Sequence, residues 1–297
     1  MSLVGAPPAA VLDFYREHGP ITDPRDQAHL LEGLPTDVAS LVEVVKGLTL
    51  HKKAVSIYGV TDPREVSPDE CRFVADLLAL IHAADGAPLT VAREPARRVI
   101  GDCRNPPLLL VTMLRRQGVP ARKRTGFSRY TPSPVPQGMP HDVTEYWDDA
   151  RRRWVMVDAG LDDRVAARRR AFYVERGEAW RGECDVLDVT PELFVKAPEI
   201  WLGFRSGRIA PGQLSVAGAD LNRAAQVLLE DIDSLNKTEL HGHDLDIDRT
   251  VDESPEFLDR MAELAAGVDE RFDEMRREFD DSLWGRTAHE RLAAHAR

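Results

Sequence analysis

The stretch Gly101-Asp102-Cys103-Arg104-Asn105-Pro106-Pro107 places one cysteine ahead of an apolar run, Leu108 to Val111. His141 follows 38 residues later and Asp158 17 beyond that. A thiol near pKa ~8.5 is mostly protonated at neutral pH and becomes a strong nucleophile when a neighbour takes its proton or stabilises the thiolate. An imidazole does this and later protonates the leaving group. A carboxylate on the far imidazole nitrogen fixes the tautomer. Cysteine, histidine and aspartate in this order are therefore a candidate triad for acyl transfer. The alternative is a buried cysteine, a loop histidine and a solvated aspartate, and spacing alone leaves both open.

The elements that must position these groups are readable from local pattern. A helix is predicted from Asn105 to Gln117, stopped by Gly118 and left by Val119-Pro120. With Asp102 as cap, Pro106 and Pro107 would fall where their missing N–H groups remove hydrogen bonds. Asn105 as cap puts Pro106 at the first helical position, where none is lost. Cys103 then sits just before the helix, where backbone N–H groups can form an oxyanion hole. Ala121–Tyr130 reads as a strand, and residues 131–140, with four prolines and a glycine, as an exposed loop delivering His141. Val143–Trp147 and Trp154–Asp158 read as partner strands around a hairpin loop at 148–151. That loop sets residue 147 against 152 and His141 directly against Asp158, on one face of the sheet. A one-residue slip would separate them.

The flanks read as helical. Ala9–Tyr15 suggests a short helix closed by Gly19-Pro20, and Thr36 a cap for a second helix carrying Val38, Leu41, Val42 and Val45. Ser67-Pro68 with Glu70 is a capping-box start for a third, with Phe73, Val74, Leu77, Leu78 and Ile81 as its apolar stripe. His51 and His82 beside these helices read as structural histidines. The region from Arg164 to Arg170 is basic and helical or looped, and segments 191–195 and 200–202 look like peripheral packing. A helix is predicted over 219–235. From Ser254 onward, Phe257, Met261, Leu264, Val268, Phe272, Met275 and Phe279 predict one amphipathic helix of roughly 30 residues that packs across the domain or mediates self-association. His241-Gly242-His243-Asp244, with Asp246 and Asp248, resembles a metal-binding cluster. A polar glycine-containing loop explains it equally well, and no metal is assigned.

Composition bounds the rest. The 297 residues are 43% hydrophobic and 30% charged, the profile of a soluble globular protein. No apolar run approaches the ~18 residues of a membrane span, and the N-terminus lacks the basic start and apolar middle of a secretory leader, so a cytoplasmic location is expected. Three scattered cysteines, Cys71, Cys103 and Cys184, argue against a disulfide framework or a cysteine-based zinc site. The net charge of −11 is uneven: residues 93–181 hold 19 Lys+Arg against 11 Asp+Glu, leaving 20 against 39 in the flanks. Either the basic middle attracts an anionic substrate or an acidic carrier, or the acidic ends fold over it and pair with it. Binding to nucleic acid or membrane is not expected.

Gly101–Asn105, the Leu-rich helix after it, Leu114–Arg122 and Thr125-Gly126-Phe127 resemble the nucleophile segment of the transglutaminase-like superfamily. His141 with Glu145-Tyr146-Trp147, and Trp154–Asp158, resemble its histidine and aspartate segments. The resemblance covers about residues 93–162. Weaker similarity to a bacterial group of full-length transglutaminase-domain proteins runs through Leu48–Gly59 and Asp233–Glu239. The resemblance implies an α+β fold: a papain/transglutaminase-like core, its nucleophile helix packed on an antiparallel sheet, with helical N- and C-terminal extensions. The regions are 1–92, 93–218 and 219–297. It implies Cys103 as nucleophile, His141 as general base and acid, and Asp158 as orienting carboxylate. Arg104, Arg122, Glu145, Tyr146 and Trp147 are expected around substrate or in support of the triad, with no cofactor. The reaction expected is acyl transfer through a thioester to an amine in a biosynthetic setting. Hydrolysis by the same triad, and a non-catalytic binding module on the same scaffold, are the alternatives. The partners are an acyl donor and an amine or water acceptor, and a homodimer through the C-terminal helix is possible. Two departures stand out: Asp142 follows the histidine where an aromatic is common, and two prolines crowd the nucleophile helix. No tryptophan precedes Cys103, so the oxyanion-holding tryptophan of the animal enzymes has no counterpart, and no calcium-loop pattern is present.

Overall fold

The computed structural model describes residues 6–61, 63–131, 137–177, 183–215, 220–240 and 254–295. In chain order these form α1 (Ala9–Arg16), α2 (Val38–Leu48), β1 (Thr49–His51), a 3-10 helix (Lys52–Tyr58), α3 (Val74–Ala84), β2 (Val99–Gly101), α4 (Asn105–Arg116), β3 (Ala121–Ser128), β4 (Met139–Asp148), β5 (Arg153–Val157), α5 (Asp163–Glu175), β6 (Phe194–Lys196), α6 (Ala197–Arg205), α7 (Asp220–Leu235), α8 (Pro255–Ala266), α9 (Phe272–Asp281) and α10 (Leu283–His295). The fold is α+β. β5, β4, β3 and β6 make an antiparallel sheet in that order, and β1 and β2 pair separately in parallel. No helix among the described residues is long and apolar enough to cross a membrane.

Strand alternation divides the sheet into two apolar faces. Ala121, Phe127, Val155 and Val157 join the larger core around α4, which also draws on α1–α3 and α6–α10. Val143 and Met156 face the other way, into a smaller cluster with Leu50, Ala54, Ile100, Leu161 and Val165. α4 is buried at every residue from Asn105 to Arg115, as its all-round apolar sequence requires. The ends of the chain cover the basic middle: Arg115 meets Glu239 at 3.5 Å, Arg122 meets Asp269 at 2.9 Å and Arg124 meets Asp231 at 2.7 Å.

Four local expectations are corrected. Asn105 is the first residue of α4, not its cap, and Arg104 holds the cap position in helical conformation. The prolines fall second and third, still within the first turn, where N–H groups have no intrahelical acceptor. The second helix is capped by Asp37, whose side chain accepts from the Ser40 N–H, one residue after Thr36. Ser67 and Glu70 do exchange capping-box hydrogen bonds. They close only a turn, and α3 begins at Val74, whose N–H is drawn to Ile21 O at 2.8 Å. The C-terminal amphipathic run is three helices, broken after Ala266 and at Ser282. Gly267, a poor helix former, ends the first, and the breaks let Met261, Met275, Phe279 and Trp284 all reach the chain's own core. The cluster from His241 to Asp248 lies outside the described residues.

Candidate active site

The His–Asp geometry was anticipated by way of a wrong register. The observed ladder pairs Trp147 with Trp154 and Asp148 with Arg153, so the turn is 149–152 and the hairpin is shifted by two residues. An odd slip would have moved Asp158 to the other face; an even slip keeps it on that of His141. Asp158, one residue past the end of β5, reaches His141 diagonally, with Nε2 and Oδ2 2.9 Å apart. The Tyr130 hydroxyl donates to the same oxygen at 2.8 Å and the Gly160 N–H to the other at 2.8 Å. With Nε2 donating to the carboxylate, Nδ1 is left as the basic nitrogen. Burial by itself would raise the Asp158 carboxyl, but His141 and the donated hydrogen bonds outweigh it and hold the group at about 2.

Cys103 lies on the turn between β2 and α4. Asn105 Oδ1 accepts from the Asp102 N–H at 3.0 Å, and Asp102 Oδ1 accepts from the Arg104 N–H at 3.0 Å. Gly101 is required here: a Cβ would come within 2.2 Å of Asn105 Oδ1. Among the described residues the Cys103 N–H has no hydrogen-bond partner. Cys103 keeps some accessible surface, yet protein atoms crowd the sulfur. Burial pushes the thiol well above its usual value, the Asp142 and Asp102 carboxylates add to this, and the Lys123 ammonium opposes it. Asp142 itself accepts from Lys123 Nζ at 3.0 Å and Thr125 Oγ1 at 2.7 Å. These bonds and the Lys123 charge hold its carboxyl below the ordinary value against the effect of burial.

Cys103, His141 and Asp158 line one cleft of about 340 Å³, whose wall is otherwise mostly apolar, with Pro106, Leu50, Ala54, Ile57 and Val165. Its cations, Lys46 and Lys53, come from the N-terminal region rather than the basic middle. His51 also lines it, and its Nδ1 accepts from the Lys53 N–H at 3.1 Å, capping the 3-10 helix.

None of the five residues expected around the triad lines this cleft. Arg104 points into the core, where its guanidinium donates to Glu239 O and Arg72 O. Arg122 bonds Glu145 at 2.7 Å and stacks over Trp154. Glu145 also accepts from Arg124 and Lys196, and these cations hold its carboxyl well below the usual range despite its burial. The Trp147 N–H donates to Asp149 at 2.7 Å, and Tyr146 packs half-buried against the main core. The reason is strand geometry. Glu145 and Trp147 share a face with His141 but lie ~13 and ~20 Å further along β4, while Tyr146 points to the opposite face. Sequence reasoning missed Tyr130, whose role depends on where the chain turns after β3, and Lys46 and Lys53, which approach from another part of the chain. Among the described residues no group of three or more His, Cys, Asp or Glu is placed to hold a metal ion.

Residues 82–159 match the family described as the transglutaminase-like superfamily, a span that contains Cys103, His141 and Asp158. No curated protein and no solved structure matches the chain.

Proposed function

The chain belongs to the transglutaminase-like superfamily through residues 82–159, whose general chemistry is cysteine-based acyl transfer or hydrolysis, and from that premise we propose that it transfers an acyl group through a thioester on Cys103 to an amine. The observation that carries the reading is the His141–Asp158 hydrogen bond of 2.9 Å, in the wall of the cleft that also holds Cys103. His141 Nδ1 takes the thiol proton as Cys103 attacks the donor carbonyl. The Asp158 carboxylate stabilises the imidazolium that forms. The Cys103 N–H, which has no partner among the described residues, is the donor offered to the developing oxyanion. His141 then gives its proton to the leaving group. In the second half-reaction an amine attacks the thioester carbonyl and loses its proton to His141, the Cys103 Sγ–C bond breaks, and His141 returns the proton to the sulfur as the amide departs.

The apolar wall suits an acyl chain and an amine acceptor better than bulk water. The test is incubation with a simple acyl thioester, with and without a primary amine, followed by intact-protein and product mass spectrometry. Acyl-Cys103 and amide are expected, both lost in His141→Ala. Release of the free acid alone, with the amine present, would make the protein a hydrolase, and absence of any Cys103 adduct would end the acyl-transfer reading.

A further inference from the structure

Beside the cleft, Tyr58 closes the 3-10 helix and carries two guanidinium groups over its ring, Arg98 at 5.4 Å and Arg164 at 5.3 Å from the centroid. Both are within cation–π range, which for this ring means two cations on one residue. Three arginines of the interior are matched by carboxylates, Arg115 by Glu239, Arg122 by Glu145, and Arg124 by Asp231, while Arg93 and Arg104 are spent on backbone carbonyls. In contrast, neither Arg98 nor Arg164 has a carboxylate within 4.0 Å among the described residues. Only Arg98 Nε is engaged, donating to Arg93 O at 3.0 Å. Burial, and then the nearby Arg164 charge, push Arg98 down, with the Glu94 carboxylate opposing them, so the two like charges feel one another.

The pair is tied to the nucleophile cleft on three sides. Tyr58 follows Ile57 and Arg164 precedes Val165, both of which line the cleft, as does Lys53. Arg98 leads into β2, which ends two residues before Cys103. Cys103 lies five positions after Arg98, so their Cα atoms are at most ~18 Å apart. The acids in the cleft wall are already used: Asp158 by His141, Tyr130 and Gly160, and Asp162 by the Val165 N–H at 2.9 Å. Leu50, Ala54 and Ile57 line the cleft that holds the sulfur and offer an uncharged spacer an apolar surface. A guanidinium fork bonds carboxylate or phosphate oxygens in pairs, and a phosphate has enough oxygens and charge for two forks at once.

Resting on the acyl-transfer reading above, we infer that the donor is an acyl thioester whose leaving thiol carries a phosphate, held by Arg98 and Arg164 with Lys53 beside them. The spacer lies along Leu50, Ala54 and Ile57 and presents the carbonyl to Cys103. In the transfer step the Cys103 Sγ–C bond forms, the donor C–S bond breaks, and the proton that His141 took from Cys103 goes to the departing thiol. No oxidant, reductant or further reactant is needed.

The test uses two donors with the same thioester, octanoyl-coenzyme A and octanoyl-N-acetylcysteamine, of which only the first carries phosphates. The full-length protein and its Arg98→Gln, Arg164→Gln and double variants are compared by the rate of Cys103 acylation. A preference of about tenfold or more for the phosphorylated donor is expected, lost in the double variant. The rate with the N-acetylcysteamine thioester should stay unchanged, which also reports an intact fold. Equal rates for both donors, insensitive to the arginines, overturn the inference and leave acyl transfer standing. If neither donor acylates Cys103, acyl transfer fails instead. Calorimetric titration with coenzyme A then decides the anion site: binding lost in the double variant supports it, and no binding to the unmodified protein overturns it.

Discussion

Replacing Tyr130 by Phe removes one hydroxyl and leaves the ring in place, so it isolates a single hydrogen bond to the Asp158 carboxylate. That bond is 2.8 Å long, its acceptor is 1% exposed, and the same oxygen meets His141 at 2.9 Å. A hydrogen bond to a buried charge contributes ~1.5–3 kcal/mol, and losing the hydroxyl's own burial cost puts this variant near the lower end. With an unfolding entropy of ~2.1 cal/mol/K per residue, about 0.6 kcal/mol/K for a chain of this size, the melting temperature should fall by roughly 2–3 °C. The pH dependence carries the sharper test. Asp158 is lowered from 3.8 to about 2 in the folded chain, so its stabilisation of about 2 kcal/mol is complete above the unfolded value and disappears as pH falls through the folded one. Phe at position 130 raises the folded value toward the unfolded one. The gap between the two proteins should therefore be constant from about pH 8 to about pH 4 and close only below that. Thermal denaturation followed by circular dichroism across this range measures it. An unchanged melting temperature at neutral pH, or a gap that already closes between about pH 7 and 5, would refute the assignment of this bond and this carboxylate.

Glu145→Gln strips the shared anion from Arg122, Arg124 and Lys196; Arg122 keeps Asp269 and Arg124 keeps Asp231, so the cost falls at the lower end of the ~3–5 kcal/mol of a broken buried pair, and a fall of about 5 °C in melting temperature is expected, with Cys103 acylation per folded molecule unchanged. Gly126→Ala places a methyl 2.3 Å from Val195 O and 2.8 Å from the Phe194 ring. The β3–β6 pair must part at ~1–3 kcal/mol, and because Gly126 faces His141 across the β3–β4 ladder, acylation should slow as well as the fold weaken. Asp142→Asn removes a carboxylate that raises the Cys103 thiol. Iodoacetamide should then alkylate Cys103 faster at neutral pH, read by peptide mass spectrometry, and no acceleration means that Asp142 does not act on the thiol.

How much was legible in the sequence depended on the range over which each feature is decided. α4 was readable because an apolar run closed by Gly118 has one way to be buried. The His141–Asp158 pairing was readable because side-chain parity survives a two-residue error, although the turn did not: Arg152 adopts a positive φ of 50°, which its residue type does not advertise. Ser67 and Glu70 formed the local bonds their types prescribe, but helix growth was decided by a distant acceptor, Ile21 O. The residues expected around the triad failed for a related reason. Sequence proximity to His141 says nothing about reach along a strand, and Glu145 belongs to an ion network closed by Asp269 through Arg122. The charge asymmetry was visible, but its destination was not: Arg115, Arg122 and Arg124 of the middle are neutralised from the C-terminal side, and the cations of the cleft, Lys46 and Lys53, come from the N-terminal elements.

The turn that carries Cys103, closed by its own hydrogen bonds, is also held by residues outside 82–159. Arg104, the next residue, donates to Arg72 O at 3.0 Å and to Glu239 O at 2.9 Å, one acceptor before the superfamily segment and one after it. Asn105 adds a bond from Nδ2 to Cys71 Sγ at 3.2 Å. On the C-terminal side the arrangement is strained: Lys237 and Glu239 have φ of 61° and 45°, a left-handed conformation that costs ~1–2 kcal/mol for such residues. The strain is held by Arg104 on the Glu239 carbonyl and Arg115 on its carboxylate. The C-terminal region is therefore part of the device that orients the nucleophile turn. The segment of strands and one helix that matches the superfamily holds Cys103, His141 and Asp158, and chain on either side of it anchors the residue next to the thiol.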